Sequence, residues 1–299
     1  MSLFNRLVVA GVPLIPRRLV GRFSRKYIAG PALDDAIRVV RELNAAGVAA
    51  TVDVLGEDIT REDEARRTAA QYRAVLDAMA SNHLDANISI KLTALGLKID
   101  RNLCLSIVRE IAAAAREEKS FVRLDMEDAS CTTGTIDIFR TLRREFDNIG
   151  IVVQSRLRRT VDDVAQLTAE GANFRLCKGI YLEPHRIAWT DPEIIRSNYV
   201  ALLDMMFAGG SYAGIATHDE LLVWHALRLA RERSIPKDRF EFQMLLGVTP
   251  ALRSILVDAG YRVRVYVPFG EQWYAYSVRR LKENPQIAGY ALRGILGLS

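Results

Sequence analysis

Apolar positions along the chain change their period again and again. From Leu33 they recur at helical spacing, through Ile37, Val40 and Leu43, then give way at Gly47 to the short run VAATVDVLG, which reads as a buried strand. Ala65, Ala69, Tyr72, Leu76 and Met79 restore the helical stripe, with Thr60 and Asp63 spaced as a capping box in front of it. NISIKLT is the second strand, and the helix of Leu103, Ile107, Ile111 and Ala114 follows. FVRLDMED is the third, with Ile136, Phe139, Arg143 and Phe146 marking the helix behind it. IGIVVQS is the fourth, and Thr160 with Asp163 is placed to cap the next helix. NFRLCKG is the fifth. Asp191 as N-cap and Pro192 as first helical residue then open the stripe Ile195, Tyr199, Leu202, Met206. YAGIATHD, FEFQMLLGV and YRVRVYVPFG complete the set, each followed by a helical stretch.

Strands beginning near residues 48, 87, 120, 149, 173, 212, 239 and 262, alternating with helices, imply a parallel sheet. Eight such units close into a (β/α)8 barrel of about 250 residues. Runs such as IVVQ and ISIKL look apolar on both faces, as a sheet covered on both sides requires. An open doubly wound sheet is the competitor. No GxGxxG follows the first strand and no GxxxxGK[ST] occurs anywhere, so one α/β barrel over 31–299, with an arm over 1–30, is the expected organisation.

Composition narrows the class. At 299 residues, 49% hydrophobic and 26% charged, the chain needs no disulfide or metal to hold a core, and no apolar run reaches the roughly 18 residues of a membrane span. Three cysteines at scattered positions, without CxxC spacing, point to a reducing cytoplasm and away from a thiolate zinc site. A net charge of +5 permits an acidic substrate or an anionic surface but gives no nucleic-acid signature. The first thirty residues carry Arg6, Arg17, Arg18, Arg22, Arg25 and Lys26 and no acid, with Pro13 and Pro16 breaking the apolar stretch. That rules against a signal peptide. Two readings stand: an apolar, basic arm touching an anionic membrane face, or, the favoured one, a helix packed on the barrel.

Barrel active sites sit at the carboxyl ends of the strands. Those ends carry Asp53, Lys91, Asp125 with Glu127, Gln154, Arg175 with Lys178, Thr217 with His218, Gln243 and Tyr266. Such groups are costly to bury unpaired, so their regularity marks a site; for Asp53, simple solvation where the strand emerges is as good a reading. Past the last strand, Arg279 and Arg280 can flank an anion lying across their helix, and Tyr276 one turn earlier joins Tyr266. Guanidinium and aromatic groups together suit a small, partly apolar acid. Metal catalysis is unsupported, since His83, His185, His218 and His225 form no HxH or HExxH, and serine chemistry lacks GxSxG. On spacing alone, a Schiff-base lyase or aldolase using Lys91 or Lys178 leads.

Six segments change that ranking. SIKLTALG (89–96), VRLDMED (122–128), FRLCKGIYLEP (174–184), IATHD (215–219), EFQMLLGV (241–248) and YVPFGEQWYAYSVRRLKENP (266–285), in this order and at strand ends, resemble the proline dehydrogenases in their short bacterial form. The resemblance spans roughly residues 30–285 and implies a distorted (β/α)8 barrel that binds FAD at its strand ends without a Rossmann domain. It implies oxidation of L-proline to Δ1-pyrroline-5-carboxylate, with electrons passed through the flavin to a membrane quinone. Carried onto this chain, it makes Arg279, Arg280 and Lys91 the clamp for the proline carboxylate, Tyr266 and Tyr276 the aromatic cover of the ring, and Leu245 an apolar wall. Asp125 becomes the residue that pairs with and orients the cations, and Arg175 the positive charge near flavin N5. Met126, Gln154, Lys178, Gly179, Ile180, Thr217 and His218 match positions that bind FAD.

One position departs from the pattern. The family usually reads KGAY where this chain reads KGIY, so Ile180 implies either a tighter cavity or a contact made by backbone alone. No DNA-binding or aldehyde dehydrogenase segment accompanies the barrel, so a single-function chain is expected rather than the bifunctional fusion. The alternatives are the lyase and a barrel kept only for binding or regulation. Flavin colour separates a proline dehydrogenase from the lyase.

Overall fold

The computed structural model describes residue 21, residues 24–274 and residues 276–278. Helix and strand alternate as α1 (Leu33–Ala45), β1 (Ala49–Val54), α2 (Glu62–Ser81), β2 (Ala86–Ile90), α3 (Arg101–Glu117), β3 (Val122–Leu124), α4 (Thr132–Arg143) and β4 (Ile149–Gln154). The second half repeats the theme with α5 (Thr160–Ala169), β5 (Phe174–Cys177), α6 (Pro192–Ala208), β6 (Ala213–Ala216), α7 (Glu220–Glu232), β7 (Phe240–Leu245), α8 (Pro250–Asp258) and β8 (Val263–Phe269). The strands are all parallel and close in sequence order, β8 pairing with β1, so the fold is a (β/α)8 barrel.

Helix α1 shows why the seam closes as it does. Asp35 accepts from the Ala32 backbone N–H at 3.1 Å to start the helix, and Ala36, Ile37, Val40 and Leu43 form its buried stripe. The stripe packs on β8 and β1, and Gly47, at φ +71°, makes the left-handed turn into β1. With α1 in the outer groove between the last strand and the first, the chain after β8 is free to turn over the mouth. Residues 273–274 and 276–278 are helical there, and Gly270 N–H bonds the Gly30 carbonyl at 3.0 Å.

Two expected caps shift. Helix α2 starts one residue later than the Thr60–Asp63 box places it, because Glu64 Oε2 accepts from both the Thr60 and Arg61 N–H groups, at 3.1 Å each, and makes Arg61 the N-cap. Thr160 is the first residue of α5, and its hydroxyl donates back to the Gln154 carbonyl at 2.7 Å. The Asp191 cap holds as expected, accepting from the N–H groups of Glu193 and Ile194.

The larger correction concerns the strands. Their outer faces are apolar, but the inner face of β2 is Asn87, Ser89 and then Lys91, and that of β8 is Arg264 and Tyr266. Isoleucines at the odd steps of ISIKL hide a period-2 polar row facing the barrel axis. At the amino end, Glu241 joins Arg264 at 2.8 Å and Arg262 at 3.2 Å. Buried Arg123 donates to the Asn173 carbonyl and side chain, and burial with the nearby Arg175 charge pulls it down to about 9. Among the described residues, no helix is long and apolar enough to cross a membrane.

Candidate active site

The same inner rows, followed to the carboxyl ends of the strands, open into a cavity of about 650 Å³. Its floor is one hydrogen-bonded cluster. Asp125, just past β3, accepts from Arg175 Nη1 at 2.8 Å and Ser89 Oγ at 2.7 Å on one oxygen, and from Tyr266 Oη at 2.8 Å on the other. Arg175 donates further to Ser89 Oγ at 3.0 Å and, through Nε, to Gln243 Oε1 at 2.5 Å. Gln243 in turn donates to Glu241 at 2.6 Å, so the mouth is braced against the ion pairs of the floor. Guanidinium plane, carboxylate and phenol therefore have their directions fixed before any ligand arrives.

Lys91 lies beside this cluster, with Nζ at 2.9 and 2.8 Å from the two oxygens of Asp53, 3.3 Å from Tyr266 Oη and 3.9 Å from Asp125. Burial alone would lower the lysine pKa, but the Asp53 and Asp125 carboxylates outweigh it and hold the value above the ordinary one. Lys91 is thus an ammonium paired with Asp53, not the neutral amine that a Schiff base requires. Asp53 is fully buried, which overturns the reading of a solvated strand end. Burial raises its pKa, and Lys91 opposes the rise. Burial, then Asp125 and Asp53, push the Tyr266 hydroxyl well above its usual range, so it stays protonated and donates. Glu127 is also raised by burial, while the Thr93 N–H and hydroxyl bond its carboxylate.

Of the residues singled out in the sequence, Lys91, Asp125, Met126, Gln154, Arg175, Lys178, Gly179, Ile180, Thr217, His218, Leu245, Tyr266 and Tyr276 all line this one cavity. Arg279 and Arg280 lie outside the described residues, as do residues 1–20, 22 and 23 of the arm. Residues 24–30 pack on the barrel: Ser24 bonds Ser277 at 2.6 Å, and Ile28 joins Leu55, Trp273 and Tyr276 in a small apolar cluster. Ile180 stands on the rim, 39% exposed, where its extra bulk has solvent to turn into. Sequence reasoning missed Ser89, Glu241 and the buried role of Asp53. The signal for Ser89 was there, in the polar row Asn87, Ser89, Lys91 at strand period.

The wall suits a large planar heterocycle. Gln154 gives its amide N–H groups to the carbonyls of Met126 and Glu127, at 3.2 and 2.8 Å, and its buried Oε1 has no partner. An orphaned acceptor in a cavity wall calls for a ligand N–H. That oxygen points at Gly179, which has φ +94°, and a Cβ there would come within 2.4 Å of it, so backbone and ligand approach closely at this point. Across the cavity, His218 Nε2 accepts the Leu245 N–H at 2.9 Å. The imidazole therefore carries its proton on Nδ1. Lys178 and Arg196 both bind Asp219 Oδ2, at 2.6 and 2.7 Å, and set positive charge at the rim beside the start of α7. Polar donors, one unpaired acceptor and aliphatic walls fit a flavin. No group of three or more His, Cys, Asp or Glu side chains able to hold a metal ion occurs among the described residues.

Comparison with known proteins agrees with this geometry. The family model described as proline dehydrogenase matches residues 36–291. Proline dehydrogenase 1 of Bacillus subtilis is 36% identical over 273 residues, which is 91% of this chain and 90% of the relative. The proline dehydrogenase of Deinococcus radiodurans is 37% identical over 290 residues, 95% of this chain and 94% of the relative. Among solved structures, proline utilization A from Bdellovibrio bacteriovorus, inactivated by N-propargylglycine, superposes with a TM-score of 0.81 at 28% identity. The match covers 87% of this chain but only 32% of that much longer one. With a family model spanning most of its length and relatives matched nearly end to end, the chain belongs to the proline dehydrogenase family.

Proposed function

We propose that this chain oxidises L-proline to Δ1-pyrroline-5-carboxylate with FAD as its resident cofactor, and that a membrane quinone takes the electrons. The observation that carries the reading is the convergence of Lys91, Arg175, Asp125 and Tyr266 in one cavity of a chain of this family. FAD, when bound, supplies the acceptor for the hydride that leaves proline C5. The rest falls to the protein. Lys91, with Arg279 and Arg280 carried over by resemblance, would fix the substrate carboxylate, and Tyr266, Tyr276 and Leu245 would confine the ring so that one C–H faces the flavin. Asp125 keeps Arg175 and Tyr266 in place. Arg175 Nη2 has no partner among the described residues, and its positive charge would stabilise the negative charge that reduction brings. Gln154 Oε1, the Gly179 backbone and His218 would hold the cofactor, with Met126, Lys178, Ile180 and Thr217 beside them. Work in the cytoplasm, at the inner face of the membrane that holds the quinone, completes the proposal.

Colour and bleaching test it. The purified protein should be yellow, lose its flavin absorption when mixed with L-proline under anaerobic conditions, and recover it with a soluble quinone. N-propargylglycine, a secondary amine with a carboxylate like proline itself, should inactivate it with time. A colourless protein, or a flavin that proline does not bleach, would refute the proposal.

A further inference from the structure

We infer that Asp53 and Tyr72 are positioning residues that aim one N–H of Lys91 into the cavity for the substrate carboxylate. The inference rests on the proposed function of Lys91 and adds two residues to it, one of them on the outer helix layer. The β1–β2 ladder stops at the pair Val52 and Ile88, while β1 continues along β8 as far as Val54 with Phe269. Beyond Val52 the strands β1 and β2 part, and the gap would leave backbone groups unpaired. Tyr72, reaching in from α2 and 1% exposed, fills it. Its hydroxyl donates to the Ser89 carbonyl at 2.8 Å and, sharing the same proton, more weakly to Asp53 Oδ1 at 3.3 Å, and takes a backbone hydrogen bond from Val54.

Asp53 is thereby held behind Lys91. It is wholly buried and does not line the cavity, whereas Lys91 does. An ammonium has three donors. Two go back to Asp53 at 2.8 and 2.9 Å, and the third is left on the cavity side, where Tyr266 Oη lies at the longer distance of 3.3 Å and Asp125 Oδ2 at 3.9 Å. A carboxylate entering the cavity meets that third donor. The groups facing Lys91 are Asp53 from β1, Asp125 and Glu127 from beyond β3, Tyr266 from β8 and Tyr276 from the segment after it, with Tyr72 of α2 behind Asp53. Without the Asp53 charge the nearest carboxylate is Asp125, 3.9 Å away, and burial then favours the neutral amine.

The test uses the holoenzyme and cyclopentanecarboxylate, which has the ring and carboxylate of proline but no amine to oxidise or titrate. Tyr72→Phe, which keeps the buried ring, should raise the inhibition constant and the proline KM about three- to tenfold, with the loss falling on KM rather than kcat and flavin content unchanged. Asp53→Asn should raise both about 30-fold at neutral pH, and its inhibition constant should climb further between about pH 7 and 9.5, where the parent is flat. Lys91→Met separates the inference from the reading beneath it. If Lys91→Met weakens the inhibitor while Tyr72→Phe and Asp53→Asn bind it as the parent does, or if the Asp53→Asn profile is flat, the positioning role is overturned and the carboxylate clamp survives. If Lys91→Met binds the inhibitor unchanged, both are overturned.

Discussion

Gly179 and Tyr266 show how much can rest on single residues here. Alanine at 179 would be forced to φ +94° and would push its Cβ against Gln154 Oε1, a buried acceptor left open in the cavity wall. Strain of this kind costs about 1–3 kcal/mol. Gly179→Ala should therefore purify with a much reduced flavin-to-protein ratio while its circular dichroism is unchanged, and full occupancy would show that Gln154 does not face the cofactor. Tyr266 offers a second prediction. Its phenol fills the space beside the expected substrate ring and is tied to Asp125, so a hydroxyl on the ring would meet bulk and find no partner. Hydroxyproline should be a poor substrate by about 1–3 kcal/mol. Tyr266→Ser should lower kcat/KM for proline and narrow the gap between the two substrates. A parent that oxidises both equally would show that Tyr266 is not the discriminating residue.

Among the elements, β5, α6 and α7 are joined at the rim by Asp219, which serves all three. Its Oδ1 accepts from Leu221 N–H to start α7, and its Oδ2 binds Lys178 and Arg196. Burial would raise this carboxyl, but the hydrogen bonds from Lys178 and Arg196 win and bring it to about 2. A carboxyl lowered by folding contributes stability above its unfolded pKa, near 4, and loses it as the pH falls toward 2. Asp219→Ala should thus lower stability by about 1–2 kcal/mol at pH 7. Parent and variant should converge in denaturant midpoint only as the pH falls below about 2, and a gap that persists there would locate the effect elsewhere. The elements themselves were largely legible in the chain. Apolar period changes give all eight strands, and Asp191 with Pro192 gives the start of α6. What the period cannot say is which face of a strand looks inward once both are partly apolar, so the polar axis of β2 and β8 went unread. Nor can it say that β1 and β2 part at their carboxyl ends. Tyr72 reads as an ordinary member of a helical stripe, and only the gap beside it gives its hydroxyl a task. The α2 cap slipped by a residue because Glu64 takes both leading N–H groups, a choice that spacing alone leaves open.

Over the whole molecule, the barrel axis is a column of ion pairs and amides running from Glu241 and Arg264 up to Asp125 and Arg175. Glu241 is held below the usual carboxylate range by Arg264 and Arg262 in spite of its burial. Glu241→Gln would leave Arg264 buried without its counter-charge, at a cost of about 3–5 kcal/mol, and would loosen Gln243 under Arg175. Denaturant unfolding should show the loss, and an unfolding free energy within about 0.5 kcal/mol of the parent would mean that the column is dispensable. The seat taken by α1 bears on how the chain comes to be assembled. Its groove is made of β1, which leaves the ribosome early, and β8, which leaves late. The ladder joining those two strands has six residue pairs in register, against three between β1 and β2 and three between β2 and β3. Closing so long a loop is entropically slow, and the longest ladder sits where that closure is finished. A nascent chain arrested before Val263 has no place to lodge its first helix. It should stay open to protease along α1 until the last strand emerges, so that the barrel locks in one late step rather than growing unit by unit.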